Sequence, residues 1–128
     1  MNNITVDFID VYNQRYSTVG DYYTIDEVDV FKIAKCDKEE YQLLILLHEL
    51  FENFQVQRDG IAEKDIYDFD VQFEHDRKLG LYSETEEPGD NKNAPYRKAH
   101  KLSTKLEKYA AKLLNIDWDE YDKSLNNL

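Results

Sequence analysis

Residues 43–52 read LLILLHELFE, in which five consecutive aliphatic residues run directly into His48, Glu49 and Glu52. A helix with this sequence is apolar on every side over its first part, so we expect it to be almost surrounded by protein. His48 and Glu52 are four residues apart and therefore point the same way, about one turn apart. A buried imidazole and a buried carboxylate are unfavourable unless they are paired or bind a metal ion. The stretch thus indicates a metal site in the core.

Two further segments with helical periodicity carry side chains that can bind metals. Asp70 borders the apolar stripe of one predicted helix, and His100 borders that of another. Glu107 lies two turns beyond His100, about 10.5 Å along the helix axis, so we assign it a supporting or salt-bridge role rather than a ligand role. The predicted ligands are His48, Glu52, His100 and Asp70. Nitrogen and oxygen ligands without a thiolate suit zinc best, with manganese or iron as alternatives.

The pattern of the remaining residues predicts an α+β fold in a single domain of residues 1–128. Apolar and polar residues alternate through about residues 1–36, with turns at 19–21 and 26–27, which predicts a small antiparallel sheet. About residues 37–128 predict three helices, at 37–57, 63–78 and 95–114, packed around the metal site, with Asp37 capping the first. Trp118 and Tyr121 are expected to anchor the tail.

Length and composition limit the kinds of protein that this chain can be. The chain has 128 residues, of which 41% are hydrophobic, and this is enough to build one folded core. Cys36 is the only cysteine, which excludes an intramolecular disulfide and a cysteine zinc cluster and fits a reducing compartment. The N-terminus has no basic region, and no apolar run reaches the roughly 18 residues that a membrane span needs. We therefore expect a soluble cytoplasmic protein without a membrane segment.

Charge is unevenly distributed along the chain. Residues 1–96 hold 22 acidic and 9 basic residues, a net charge of −13, whereas residues 97–112 carry +5 and residues 113–128 carry −3, which together give the total of −11. An acidic surface repels a phosphate backbone, so we expect no direct binding of nucleic acid. The same surface suits a protein partner with a basic surface.

The segment HELFE resembles the HExxH helix of the zincin metallopeptidases, with glutamate in place of the second histidine. That resemblance implies that His48 and Glu52 bind zinc and that Glu49 is the general base of a metal-dependent hydrolase. The spacing of Glu49 and Glu52, followed by Asp70 and Glu74, also resembles the carboxylates of all-α nucleotide pyrophosphohydrolases, which bind magnesium. The β-rich N-terminus departs from that family.

A broader resemblance covers most of the chain. The segments HELFENFQVQRDGI, DFDVQFE, EPGDNKNAPYRKAH and LLNIDWDEY are similar, in order and spacing, to a group of small phage and prophage proteins, and within it to type II-A anti-CRISPR proteins. This resemblance implies a non-enzymatic inhibitor with a structural zinc ion, which acts in the host bacterial cytoplasm by binding the CRISPR effector nuclease and hindering its loading with DNA. The acidic loop residues Glu84, Glu86, Glu87 and Asp90 are the predicted partner contacts.

The inhibitor and hydrolase hypotheses differ in the coordination of the metal. Four protein ligands indicate a structural ion, whereas three ligands beside an open cavity indicate catalysis.

Overall fold

The computed structural model describes residues 1–128. Three strands come first, namely β1 (Asn3–Ile9), β2 (Gly20–Ile25) and β3 (Val28–Ala34). Four helices follow, namely α1 (Glu39–Arg58), α2 (Glu63–Lys78), α3 (Arg97–Leu113) and α4 (Trp118–Asn126). Short 3₁₀ turns lie at Val11–Asn13 and Pro88–Asp90. The predicted α+β class, a sheet followed by helices, is confirmed, although there is one helix more than predicted.

The sheet is mixed rather than antiparallel. β3 lies in the centre, with β1 on one side and β2 on the other. β2 is antiparallel to β3, but β1 is parallel to it, with Asn3 opposite Val28 and Ile9 opposite Ala34. The prediction of an antiparallel sheet was therefore wrong for β1, because alternation of apolar and polar residues is the same for either strand direction. Residues 10–19 cross one end of the sheet from the β1 edge to the β2 edge.

A two-residue turn joins β2 to β3. Asp26 and Glu27 both have positive φ, 49° and 66°, as the type I′ turns of hairpins require, so the turn predicted here is confirmed. The turn predicted at 19–21 is wrong at Gly20 and Asp21, which begin β2. Gly20 lies close against Glu49, since a Cβ at position 20 would be 2.6 Å from Glu49 Oε1 and would displace that side chain.

The helices agree with the sequence pattern apart from their first turns. α2 spans the predicted range, and α1 and α3 each begin two residues later than predicted. The cap predicted at Asp37 is wrong, because Lys38 occupies the N-cap position without a capping hydrogen bond. α4 does have a cap, in which the Asp117 side chain accepts from the Glu120 backbone N–H at 3.0 Å. None of the helices combines the length and the apolar character needed to cross a membrane.

α1 is the central element of the fold. It packs against β2 and β3 on one side and against α3 on another. Gln55 lies beside Ser103, whereas His48, seven residues earlier on α1, lies beside Glu107, one turn later on α3, so the two helices are antiparallel. The core that they share with the sheet includes the buried side chains of Phe31, Ile33, Leu44, Ile45, Val56 and Tyr121.

The outward side of α1 is not covered. Leu43, Phe51 and Phe54 are 43%, 37% and 43% exposed. The expectation that α1 would be surrounded by protein was therefore wrong for this side of the helix.

Candidate metal centre

Helices α1 and α3 bring the candidate ligands together. His48 and Glu52 lie one turn apart on the inward side of α1, and the antiparallel packing places His100 of α3 opposite them. All three side chains are buried, at 7%, 4% and 8% exposure. The pairing of His48 with Glu52 followed from their spacing, and the structure adds His100 to the same cluster.

The three side chains point one atom each at a common centre. His48 Nε2 lies 3.0 Å from Glu52 Oε2, and His100 Nδ1 lies 3.0 Å from the same oxygen. The two nitrogens are 3.1 Å apart. Zinc bonds of about 2.0–2.1 Å in a tetrahedral arrangement separate the ligand atoms by about 3.3 Å. The cluster therefore fits a zinc ion after a movement of a few tenths of an ångström.

Each ligand is held in place through its other polar atom. His48 Nδ1 lies 2.7 Å from Glu107 Oε1, and His100 Nε2 lies 2.8 Å from Glu87 Oε2. The Tyr22 hydroxyl donates to Glu52 Oε1 at 2.9 Å. Histidine ligands of metals commonly donate their second N–H to a carboxylate, which fixes the ring and increases its basicity. Glu107 thus has the supporting contact that its position suggested.

The electrostatics of the cluster favour a cation. Burial lowers the pKa of His48, but the hydrogen bonds to Glu107 and Glu52 outweigh it and raise the pKa from 6.5 to about 11. The pKa of His100 rises to about 10, because the hydrogen bonds to Glu52 and Glu87 outweigh burial. An environment that holds two extra protons so strongly would also stabilise a divalent cation in their place.

Glu49 lies beside the cluster and makes no side-chain hydrogen bond. It lines a cavity of about 340 Å³ whose wall also includes His48, Glu52 and His100. Burial, and then the charge of Glu52, raises the pKa of Glu49 well above its usual value. A nearby divalent cation would lower this pKa again. Glu49 is thus a free carboxyl group facing the same cavity as the three candidate ligands.

Asp70 does not join the cluster. Its carboxylate accepts hydrogen bonds from the hydroxyls of Tyr96, at 2.5 Å, and Tyr16, at 2.9 Å. Of the four ligands predicted from sequence, the structure groups His48, Glu52 and His100 and leaves Asp70 out. Asp70 lies at the edge of an apolar stripe because it pairs with two buried tyrosines. Helical spacing alone cannot distinguish such a pairing from a metal site.

The acidic loop reaches the centre from outside. Glu87, predicted as a partner contact, also holds His100, and Asp90 Oδ1 lies 3.6 Å from His100 Nε2. Gly89 is buried against the same ring, since a Cβ there would lie 2.3 Å from His100 Cγ. Only Glu84 and Glu86 of the predicted contacts are exposed without touching His100.

The sequence reasoning did not assign Tyr22, Glu87 or Gly89 to the centre. Their roles depend on how the loop and β2 dock against α1 and α3, and no local pattern encodes that. Comparisons of the chain with protein-family models, curated proteins and solved structures found no match. We therefore infer function from the geometry of the centre.

Proposed function

We propose that the chain is a zinc-dependent hydrolase, with His48, Glu52 and His100 as the zinc ligands. The observation that supports this proposal is that three ligand atoms lie within 3.0–3.1 Å of one another at the wall of a cavity. These three residues would hold the ion, and water from the cavity could complete its coordination. Zinc bound there would supply a Lewis acid and lower the pKa of water. The same observation disfavours a purely structural ion, for which four protein ligands are expected.

Glu49 is the residue that would take up a proton. Its carboxyl group makes no hydrogen bond to another side chain, so it is available to accept a proton from water in the cavity. Glu107 and Glu87 would keep the two imidazole rings oriented while this happens. The role of Glu49 agrees with the resemblance of HELFE to the zincin helix, in which the residue after the first histidine is the base.

The first test is metal content. Protein purified without chelators should contain about one zinc per chain, and His48→Ala should lose both the zinc and thermal stability, because one ligand and metal-linked folding energy are removed. His75→Ala is the matched control, since His75 is exposed on α2. Metal-free wild-type protein would overturn the proposal.

The second test is turnover. With zinc bound, the wild type should hydrolyse members of a panel of chromogenic ester, peptide and phosphodiester substrates. Glu49→Gln should retain zinc and lower kcat by about 100-fold or more, because it removes the proton acceptor and little else. Equal turnover by both proteins would show that Glu49 is not the base.

A second candidate is the anti-CRISPR inhibitor, in which zinc only stabilises the fold. Its support is the charge of −13 over residues 1–96 together with the sequence resemblance. CRISPR effector nucleases hold nucleic acids in positively charged channels, and an acidic protein in the bacterial cytoplasm can compete for such a channel. Glu84 and Glu86 are the two predicted contacts that are exposed and lie away from His100, so they can be changed without disturbing the centre.

The inhibitor candidate has its own test. Pull-down against a panel of CRISPR nucleases should give a salt-sensitive complex, and Glu84→Lys with Glu86→Lys should weaken it. Asp119→Lys with Glu120→Lys, at exposed acids on α4, is the control. Inhibition that survives Glu49→Gln would separate this function from hydrolysis. Binding of duplex DNA by the pure protein, with no nuclease bound, would count against it.

A further inference from the structure

We propose that the outward sides of α1 and α3 form a homodimer interface, on which a second copy of the chain packs the same two helices. We call this surface the α1–α3 face. By helical position its members are Leu43, Leu47, Leu50 and Phe54 with Phe51 on α1, and Leu102, Leu106, Tyr109 and Leu113 on α3. Five of them, Leu43, Phe51, Phe54, Tyr109 and Leu113, are at least 37% exposed, whereas the other four are partly buried and Leu50 also packs against the core.

The two stripes have the same spacing. Leu43, Leu47, Leu50 and Phe54 follow each other at intervals of four, three and four residues, and the α3 stripe from Leu102 to Leu113 repeats those intervals. This is the a/d spacing by which a helix packs along another helix. Tyr109 and Leu113 remain 61% and 65% exposed. Both stripes are therefore patterned for a helical partner that one chain does not supply.

Both stripes lie on the same side of the helix pair. Residues of a helix follow each other at about 100° around its axis. Viewed along α1, the stripe lies on one side of the direction in which Gln55 points towards α3, and His48 lies on the other side. Viewed along α3, the stripe likewise lies on one side of the direction in which Ser103 points towards α1, and Glu107 lies on the other side. His48 and Glu107 face each other inside the core, so the two stripes meet on the outer side of the antiparallel pair. They form one continuous surface.

The size of the α1–α3 face fits a dimer. Helices of 20 and 17 residues are about 30 and 25 Å long, and at a spacing of 8–10 Å they present an apolar area on the order of 500 Å². That is within the range of about 300–600 Å² for the largest apolar patch of a monomer, and patches of this size often mark an interaction site. With its polar border the face approaches the roughly 800 Å² per partner of a stable interface.

The charges at the border favour a second copy over another occupant. Lys105 and Lys112 border the α3 stripe, and Glu39 and Glu40 border the start of the α1 stripe; all four are exposed. A two-fold axis along the helices places each α3 antiparallel to the α1 of its partner, which brings Lys112 close to those glutamates. The result is an antiparallel four-helix bundle with opposite charges at its border.

The experiment is measurement of mass in solution with matched variants. Sedimentation equilibrium of the wild type should give about twice the 15.2 kDa of one chain. Phe54→Glu and Leu113→Glu should each weaken dimerisation by about 100-fold or more, because a charge is forced into an apolar stripe that the partner would cover. Phe8→Glu and Leu81→Glu are the controls, since these residues have nearly the same exposure, 42% and 66%, but lie outside the face.

Circular dichroism and zinc content should be the same in all four variants, which separates loss of the dimer from loss of the fold. A monomeric wild type at every soluble concentration would overturn the proposal. So would a dimer that both Phe54→Glu and Leu113→Glu leave intact. A monomer that instead binds a CRISPR nuclease through Phe54 would assign the face to a different occupant.

Discussion

The candidate metal centre depends on individual contacts between carboxylate oxygens and imidazole nitrogens. Glu107 and Glu87 each hold the outer nitrogen of a histidine, and Glu52 receives both inner nitrogens. Three carboxylates thus surround two imidazoles in a buried space. Without a cation, each of these four nitrogen–oxygen contacts needs a proton, carried either by the imidazole or by the carboxyl group.

The contact between Glu107 and His48 can be tested alone. Glu107→Gln keeps a hydrogen-bond acceptor but removes the charge, so we expect zinc affinity to fall by about 10–100-fold. A titration against a chelator of known affinity measures this change. Glu39→Gln, at an exposed position of α1, should leave zinc affinity unchanged. Equal affinities for the wild type and Glu107→Gln would contradict a supporting role.

The raised pKa of Asp70 predicts that the stability of the fold depends on pH. Burial raises its pKa from 3.8 to about 6, against the opposing hydrogen bonds from Tyr96 and Tyr16. Because the pKa is higher in the folded state, the contribution of Asp70 to stability is complete below about pH 4 and is lost as pH rises through 6. The loss is on the order of 3 kcal/mol.

We expect Asp70→Asn to remove this part of the pH dependence. Urea unfolding of the wild type and of Asp70→Asn, measured from pH 4 to 7, should give a free-energy difference that changes with pH mainly between 4 and 6. Asp68→Asn, at an exposed residue two positions away, is the control. Parallel pH profiles for the wild type and Asp70→Asn would contradict the prediction.

At the scale of elements, the turn between β2 and β3 stores strain that can be removed. Asp26 and Glu27 have positive φ without being glycine. Glu27→Gly creates an Asp-Gly turn, which adopts this geometry readily, so we expect stabilisation by about 0.5–1 kcal/mol. Thermal unfolding would measure it. Glu27→Ala, which keeps a Cβ at positive φ, should not stabilise, and a lower melting temperature for Glu27→Gly would contradict the prediction.

Helices could be predicted from sequence better than strand pairing. Apolar residues at intervals of three and four define α2 and α3 locally, so their ranges follow from the pattern. The parallel direction of β1 could not be predicted, because it depends on how residues 10–19 cross the end of the sheet. Asp37 and Glu40 have the spacing of a helix cap, but no such cap forms at the start of α1. Asp117 and Glu120 have the same spacing and do form a cap, which was not predicted.

At the scale of the whole molecule, half of the candidate centre was accessible from sequence. His48 and Glu52 share one helix, so their spacing alone places them together. His100 and Glu107 could be proposed but not positioned, because the packing of α1 on α3 decides which turn of one helix meets the other. Glu87 and Gly89 lie on a loop between helices, and their contact with His100 is purely tertiary. The apolar run at 43–47 was interpreted as interior, yet one side of it faces outward.

The parallel pairing of β1 has kinetic consequences. β2 and β3 are adjacent in sequence and form a hairpin by local contacts, whereas β1 pairs with residues 25 positions away, as Asn3 does with Val28. Closing the longer loop costs more chain entropy, so we expect the hairpin to form early and β1 to dock late. By the same reasoning β1, an edge strand, should detach first. Native-state hydrogen exchange should therefore show amides of β1 exchanging before those of β3 that bond to β2, and equal protection of both would contradict this order.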